Sequence, residues 1–298
     1  MPSVTDEALK NYLRAGVIAK EAREYGVAHV RAGLTSLELV NAMESLIFER
    51  GARCAFPVNI GVNEVAAHYT PTRENNIVFK TGDVVKIDVG AHVDGYAADT
   101  AVTVEVGTTR YADMIKSAED ALTMVIEMVR PGTPLSSIGG TVSRTIRGAG
   151  FRPVENLTGH SMERFNLHAG LSIPNIETKD KSVVAEGMIL AIEPFSTAGS
   201  AGRVGGRGRG PIFRIIRDRR APQEVLTLFA KMKNEFGPFP FAGRWCDRLK
   251  PDSEPLVTKM FRLGMIMSYP VLTELSNGIV AQAEHSVIVT SSGCRVIT

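Results

Sequence analysis

The chain has 298 residues, enough for one large domain or two small ones, and its 44% hydrophobic and 22% charged composition is that of an ordinary globular protein with a sizeable core. A net charge of +2 argues against a dedicated nucleic-acid or membrane-surface protein. Cys54, Cys246 and Cys294 are odd in number and far apart, which excludes a disulfide framework or zinc–thiolate cluster and fits a reducing cytoplasm, and no apolar run approaches the roughly 18 residues that a membrane span needs.

The polar N-terminus has no signal core, and the spacing of Leu9, Leu13 and Val17 predicts an amphipathic helix from Thr5 to about Tyr25. His29, just beyond, reads as a surface or packing histidine. A second helix is expected from Thr35 to about Arg50, where Thr35 and Glu38 make a capping box and Gly51 ends the run. Residues 54–71, CAFPVNIGVNEVAAHYTP, read as loop from their Pro, Asn and Gly content, and His68 lies there.

The segment Lys86 to Glu105, KIDVGAHVDGYAADTAVTVE, carries Asp88 and Asp99 eleven residues apart, each in an apolar run, with hairpin-turn composition from Gly90 to Gly95 between them. Two surface acids at strand ends are the bland explanation. An acid inside a buried strand, however, is costly unless compensated, and a bound cation is the usual compensation.

Helices follow from Tyr111 to Val129 and from Leu135 to Ala149. The stretch FRPVENLTGHSMERFNLHAG, residues 151–170, brings His160 and His168, eight residues apart and so unlike the two-histidine helix of zinc metalloproteases. Glu193 ends the apolar strand Met188 to Ile192. From residue 196 the chain changes character: a Gly- and Arg-rich stretch spanning 199–210 reads as a solvated surface loop, and helices are expected from Pro222 to Phe236 and from Leu256 to Leu263. The stretch 196–264 is therefore expected as a small helical insert, flanked by 1–195 and 265–298, and near its end Glu284 again sets an acid in an apolar strand. The alternation of helices with strands makes the class α+β.

Asp88, Asp99, Glu193 and Glu284 with His160 are oxygen and imidazole donors that suit divalent ions such as cobalt, manganese, iron or zinc. Spacing alone does not bring them together. The joint motifs AAHYTP, KIDVGAHVDGYAAD, NLTGHS with NLHAG, AIEPF and IVAQAEHSVIV do more: the sequence resembles the methionine aminopeptidases of the type II class, in the archaeal layout, over essentially the whole chain. The resemblance implies a pita-bread fold, a curved antiparallel sheet with outer helices and two halves related by a pseudo-twofold. It implies two divalent ions, the first on Asp88 and Asp99, the second on His160 and Glu193, with Asp99 reaching both and Glu284 bridging. It implies Glu193 as proton shuttle, His68 and His168 as substrate-contacting catalytic groups, and Phe56, Leu167, Phe195 and Tyr269 around the methionine side chain.

The implied substrate is the N-terminal methionine of a nascent peptide with a small second residue, handled by a cytoplasmic monomer with a transient ribosome contact through the Gly/Arg-rich loop. Alternatives are a proline-directed peptidase of the same fold and a non-catalytic pita-bread module that binds RNA or protein. Ala283 is smaller than the bulky residue the resemblance leads one to expect beside Glu284, with an enlarged substrate pocket or a local repacking as the two outcomes.

Overall fold

The computed structural model describes residues 5–206 and 208–298. Met1 to Val4, at the head of the 1–195 unit, and Arg207, within the Gly/Arg-rich stretch, lie outside the described residues. Helix α1 (Asp6–His29) starts at Thr5, whose hydroxyl accepts from the Ala8 N–H, and holds Asp6 and Glu7 at its positive end. It continues past Tyr25 because Gly26 is a contact and not a stop: a Cβ there would lie 2.9 Å from Met43 Sδ. Helix α2 (Ser36–Glu49) has the expected capping box, with the Thr35 N–H donating to Glu38 at 3.1 Å.

Strands β1 (Arg53–Cys54), β2 (Asn59–Val62) and β3 (Val65–Ala67) occupy the stretch expected as loop. Asn63, at φ 54°, belongs to the tight turn between β2 and β3, and the turn chemistry of this one residue makes the flanking strands look like loop in sequence. Strands β4 (Val84–Val93) and β5 (Tyr96–Glu105) form one long hairpin in which Val93 pairs with Tyr96. Its turn is only Asp94–Gly95, both at positive φ (51° and 83°), the signature of a two-residue hairpin loop. Gly90, expected in that turn, is inside β4, where a Cβ would meet Phe56 Cε1 at 2.3 Å.

Helices α3 (Ala112–Met128) and α4 (Leu135–Gly148) lie within one residue of their expected ends. Then come β6 (Arg152–Pro153), β7 (Thr158–Met162), β8 (Ser172–Pro174), β9 (Ile189–Ile192) and β10 (Phe195–Thr197). Beyond them are β11 (Val204–Gly205), β12 (Ile212–Ile215), α5 (Gln223–Phe236), β13 (Phe241–Ala242), a 3-10 turn (Gly243–Arg248), α6 (Glu254–Arg262), β14 (Ile266–Tyr269) and β15 (Leu272–Glu274). The chain returns through β16 (Val280–Gln282), β17 (Glu284–Val289) and β18 (Cys294–Val296).

The main sheet runs β1-β4-β5-β17-β9-β7-β8, with β2 beside β4 and β18 beside β17, and its neighbours are antiparallel. Helices α1 and α2 bury Ile18, Leu39, Met43 and Ile47 against Val85, Ile87 and Val89 of β4. Helices α3 and α4 bury Leu122, Val125, Ile138 and Val142 against Leu190 and Ile192 of β9 and Val287 of β17. Two helix pairs on the back of one antiparallel sheet make the pita-bread architecture.

The 196–264 stretch departs from its expected helical, separate character in three ways. Ser196 and Thr197 belong to β10, which pairs with β16 and β6. Three short strands accompany the two helices. Phe213, Leu228, Phe229, Met232, Trp245 and Met260 share one continuous core with α1, α2 and β4. Nor is the Gly-rich segment a solvated loop: buried Glu274 accepts from the N–H groups of Gly202 (3.1 Å), Ser276 (2.7 Å) and Gly278 (2.9 Å), and Gly199 packs against it. Among the described residues, Arg203 faces outward to Glu155 and Arg209 to Glu254.

Candidate metal centre

The sheet register fixes which side chains converge. Asp88 lies opposite Ala101, Ala101 opposite Glu284, and Asp99 is two residues from Ala101. Further across, Ser286 lies opposite Ala191 and Ala191 opposite His160, while Glu193 is two residues past Ala191. Cross-strand partners share a face, as do residues two apart on a strand. Asp88, Asp99, His160, Glu193 and Glu284, from four strands and the residue next to the end of β9, therefore all project from the face away from the helices.

Asp88 and Asp99 are diagonal neighbours, since Asp99 faces Gly90. Ligand atoms of Asp99, His160 and Glu284 lie within 4.8 Å of one another. His160 Nε2 is 3.5 Å from Asp99 Oδ2 and 3.8 Å from Glu193 Oε1.

Short hydroxyl bonds hold the strands where the ladder between β5 and β17 gives out. The Asp99 N–H donates to Ser286 Oγ (2.8 Å), which donates back to the Asp99 carbonyl (2.8 Å). Thr100 Oγ1 donates to the Glu284 carbonyl at 2.9 Å, and Asn175 Nδ2 donates to the Glu193 carbonyl at 3.1 Å. These bonds position the carboxylate-bearing residues through their backbones, while Gln282 Nε2 donates to Glu284 Oε2 at 3.3 Å.

The carboxylates are under electrostatic stress. Burial, then mutual repulsion, raises the pKa of Asp88, Glu193 and Glu284 well above the usual carboxylate range. Burial pushes Asp99 up to about 8. Burial acts the opposite way on the imidazoles, lowering His160 to about 4 and His168 to about 3, with His68 also lowered. Asp88 Oδ1, Asp99 Oδ1 and Glu284 Oε1 are buried without a hydrogen-bond partner. Orphaned carboxylate oxygens beside a neutral imidazole, with no thiolate in the cavity wall, fit hard or borderline divalent cations, and the donor set passes that test.

Around this floor is a cavity of about 330 Å³. Every residue named from the sequence lines it: the five donors above, His68 and His168, and the apolar Phe56, Leu167, Phe195 and Tyr269. The rings of His160 and His168 are 4.4 Å apart, and His68 packs edge-on to Tyr269 at 5.4 Å. His68 has φ 63°, a left-handed backbone that non-glycine residues rarely adopt. Its Nδ1 is 3.3 Å from the Pro270 carbonyl, so Nδ1 carries the proton and Nε2 is an acceptor.

Sequence reasoning missed Asn59, Ile212 and Pro240 in the wall. Asn59 lies opposite Asp88, and its Oδ1 is buried and unpartnered. The signal for it was a polar residue within NIGV, which only becomes visible once that run is recognised as a strand. Ile212 and Pro240 reach the cavity from the 196–264 stretch, which therefore supplies part of the wall.

A metal-fitting donor set on one face of a pita-bread sheet defines a class, and residues 10–291 match metallopeptidase family M24. The chain belongs to that family. Within it the chain groups with the methionine aminopeptidases. It is 41% identical over 295 residues to the methionine aminopeptidase of Methanocaldococcus jannaschii, covering 98% of this chain and 99% of that one. Among solved structures, a methionine aminopeptidase from Thermotoga maritima has a TM-score of 0.70 at 22% identity, covering 100% of this chain and 99% of that one. A thermophilic Arx1 has a TM-score of 0.83 at 18% identity, covering 99% and 91%. At such identities these two establish the fold alone.

Proposed function

We propose that this chain is a methionine aminopeptidase of the archaeal type II kind, releasing the first methionine of nascent proteins whose second residue is small. One observation carries the reading: four carboxylates and an imidazole form the floor of a cavity whose wall sets the apolar Phe56, Leu167, Phe195 and Tyr269 beside His68 and His168, and which is large enough for a single side chain. Asp88, Asp99, His160, Glu193 and Glu284 would hold two divalent ions, cobalt, manganese, iron or zinc. Bound there, the ions supply Lewis-acid polarisation and a water acidified toward neutrality.

The chain's own groups do the rest. Phe56, Leu167, Phe195 and Tyr269 surround the methionine side chain and exclude water from it. Glu193 takes a proton from the attacking water and returns one to the leaving amine. His68 Nε2, an acceptor while Nδ1 donates to Pro270, takes a hydrogen bond from a substrate N–H. That leaves His168 to donate to the oxygen on which negative charge develops, a bond that strengthens in the transition state. Both imidazoles are suited to these roles because partial desolvation in the cavity lowers their pKa and favours the neutral ring.

Methionine release from Met-Ala-Ser and Met-Lys-Ser peptides, on metal-stripped protein with single ions added back, tests the reading. Metal-dependent release from the first peptide and not the second is expected. Release only from Xaa-Pro peptides would favour a proline-directed peptidase, and no release with any ion a binding module. Three free cysteines accord with a reducing cytoplasm, and elution at monomer mass is expected on gel filtration. No described helix is long and apolar enough to cross a membrane. A ribosome contact through the Gly/Arg-rich loop would place the enzyme near its substrate; ribosome co-sedimentation unchanged by replacing Arg203 and Arg209 would remove it.

A further inference from the structure

Arginines near the cavity are mostly neutralised: Arg203 pairs with Glu155, Arg209 with Glu254 and Arg244 with Glu44. Arg214 is different. It forms no ion pair among the described residues, and its guanidinium donates from Nη2 to Met267 Sδ at 3.8 Å. Its Nε is buried with no acceptor. A guanidinium remains charged at any ordinary pH, and a partly buried one without a partner is costly.

Its place on β12 says what that cost serves. Ile212 pairs with Tyr269 and Arg214 with Met267, while Phe213 between them is buried in the core. Strand alternation therefore puts Arg214 on the same side as Ile212, about 7 Å further along. Ile212 and Tyr269 are cavity wall. Arg214 is thus one step along β12 from that wall, and its positive charge adds to the lowering of the His168 pKa and opposes the rise at Tyr269. On the aminopeptidase reading the first residue of a peptide fills the cavity, and a chain that leaves it along β12 passes Arg214.

Building on the aminopeptidase reading, we propose that Arg214 determines specificity by binding a carboxylate of the outgoing peptide, so that an acidic residue shortly after the scissile bond is favoured. The carboxylate can come from an Asp or Glu side chain or from the C-terminus of a short peptide. Both present the same planar pair of oxygens to the guanidinium fork.

The test compares kcat/KM on the amides Met-Ala-Xaa-Gly with Xaa as Glu, Gln or Lys, and on Met-Ala-Gln as free acid and as amide. The protein is metal-loaded, and is either unchanged, Arg214→Met or Arg214→Lys. The unchanged protein is expected to favour Glu over Gln by about two- to fivefold, with Lys poorest and the ratio shrinking as salt rises. Arg214→Met should erase that ratio whatever it does to the Gln peptide's own rate, and Arg214→Lys should keep part of it. A gain from the free acid alone would assign the pairing to chain termini. Equal rates for Glu, Gln, Lys and free-acid peptides, a ratio that survives Arg214→Met, or an equal loss on all peptides would each overturn the proposal. Turnover of the Gln amide reports on the aminopeptidase reading separately.

Discussion

His168 and His68 both line the cavity with lowered imidazole pKa values, yet their surroundings give them different work. His68 is fixed by the Pro270 carbonyl, whereas the ring nitrogens of His168 have no hydrogen-bond partner among the described residues and are free to donate to substrate. His168→Ala is expected to lower kcat by a hundredfold or so, with KM little changed, in steady-state peptide assays; an unchanged kcat would remove it from the mechanism. A titration prediction lies outside the site. His92 stacks on Phe239 at 4.3 Å, accepts from the Gly95 N–H at 3.3 Å, and is lowered to about 4, by burial first and the Arg53 charge second. The unfolded chain, with its histidine near 6.5, binds the extra proton first, so stability present above about pH 6.5 drains away as pH falls toward 4. Up to about 3 kcal/mol belongs to this group. His92→Gln should flatten the fall in Tm between pH 7 and 4, and a parallel fall in both proteins would refute it. At this scale the acids within apolar runs were legible, because a buried carboxylate is anomalous in any sequence. Asn59 and Arg214 were not, because an uncharged amide in a presumed loop and one arginine among many look ordinary until register gives them a direction.

Among the elements, a buried brace ties the 196–264 stretch to the site. Glu44 of α2 accepts from Arg244 and from Trp245 Nε1 (2.8 Å), while Arg244 donates to Thr70 Oγ1 (2.9 Å) and the Pro71 carbonyl (3.3 Å), just after His68. Arg244→Met leaves Glu44 buried and unpaired, and urea unfolding should show a loss of about 3–5 kcal/mol. Adding Glu44→Met should recover part of it. A second element-scale prediction concerns Ala283. It faces away from Glu284, toward Leu122 and Val287, beside a cavity of about 480 Å³ between α1 and α3, so its small size does not enlarge the substrate pocket. Ala283→Leu is expected to raise stability by about 0.5–2 kcal/mol, read as a higher Tm with kcat/KM retained; a lower Tm would mean the space is already needed. The helices were readable from their 3.6-residue period and caps. β2 and β3 were hidden by the turn at Asn63, and the short strands of the 196–264 stretch by their Gly and Pro neighbours.

For the whole molecule, a cluster of four acids, Asp99 and Glu284 buried and Asp88 and Glu193 half-buried, predicts strong linkage between metal and stability. Cobalt or manganese added to metal-stripped protein at a hundred times its dissociation constant should stabilise it by about 2.7 kcal/mol per site, seen as a rise in Tm that EDTA reverses. No rise with any divalent ion would sink the metal centre. The convergence of these acids was not legible from spacing, since Asp88 and Glu284 are separated by most of the chain and only the pairing of β5 with β17 joins them. The resemblance supplied what local pattern could not.

That pairing has a consequence in time. β17 lies in the middle of the sheet, between β5 and β9, although it is made after both. Until it slots in, β5 and β9 have no common neighbour, the row from Asp88 through Ala101 to Glu284 is broken, and Ser286 cannot clasp Asp99. Contacts this distant in sequence form late and slowly. A growing copy of this protein therefore carries most of its donor residues long before it has a site, and the cluster of negative charge closes only as the last of the central strands arrives.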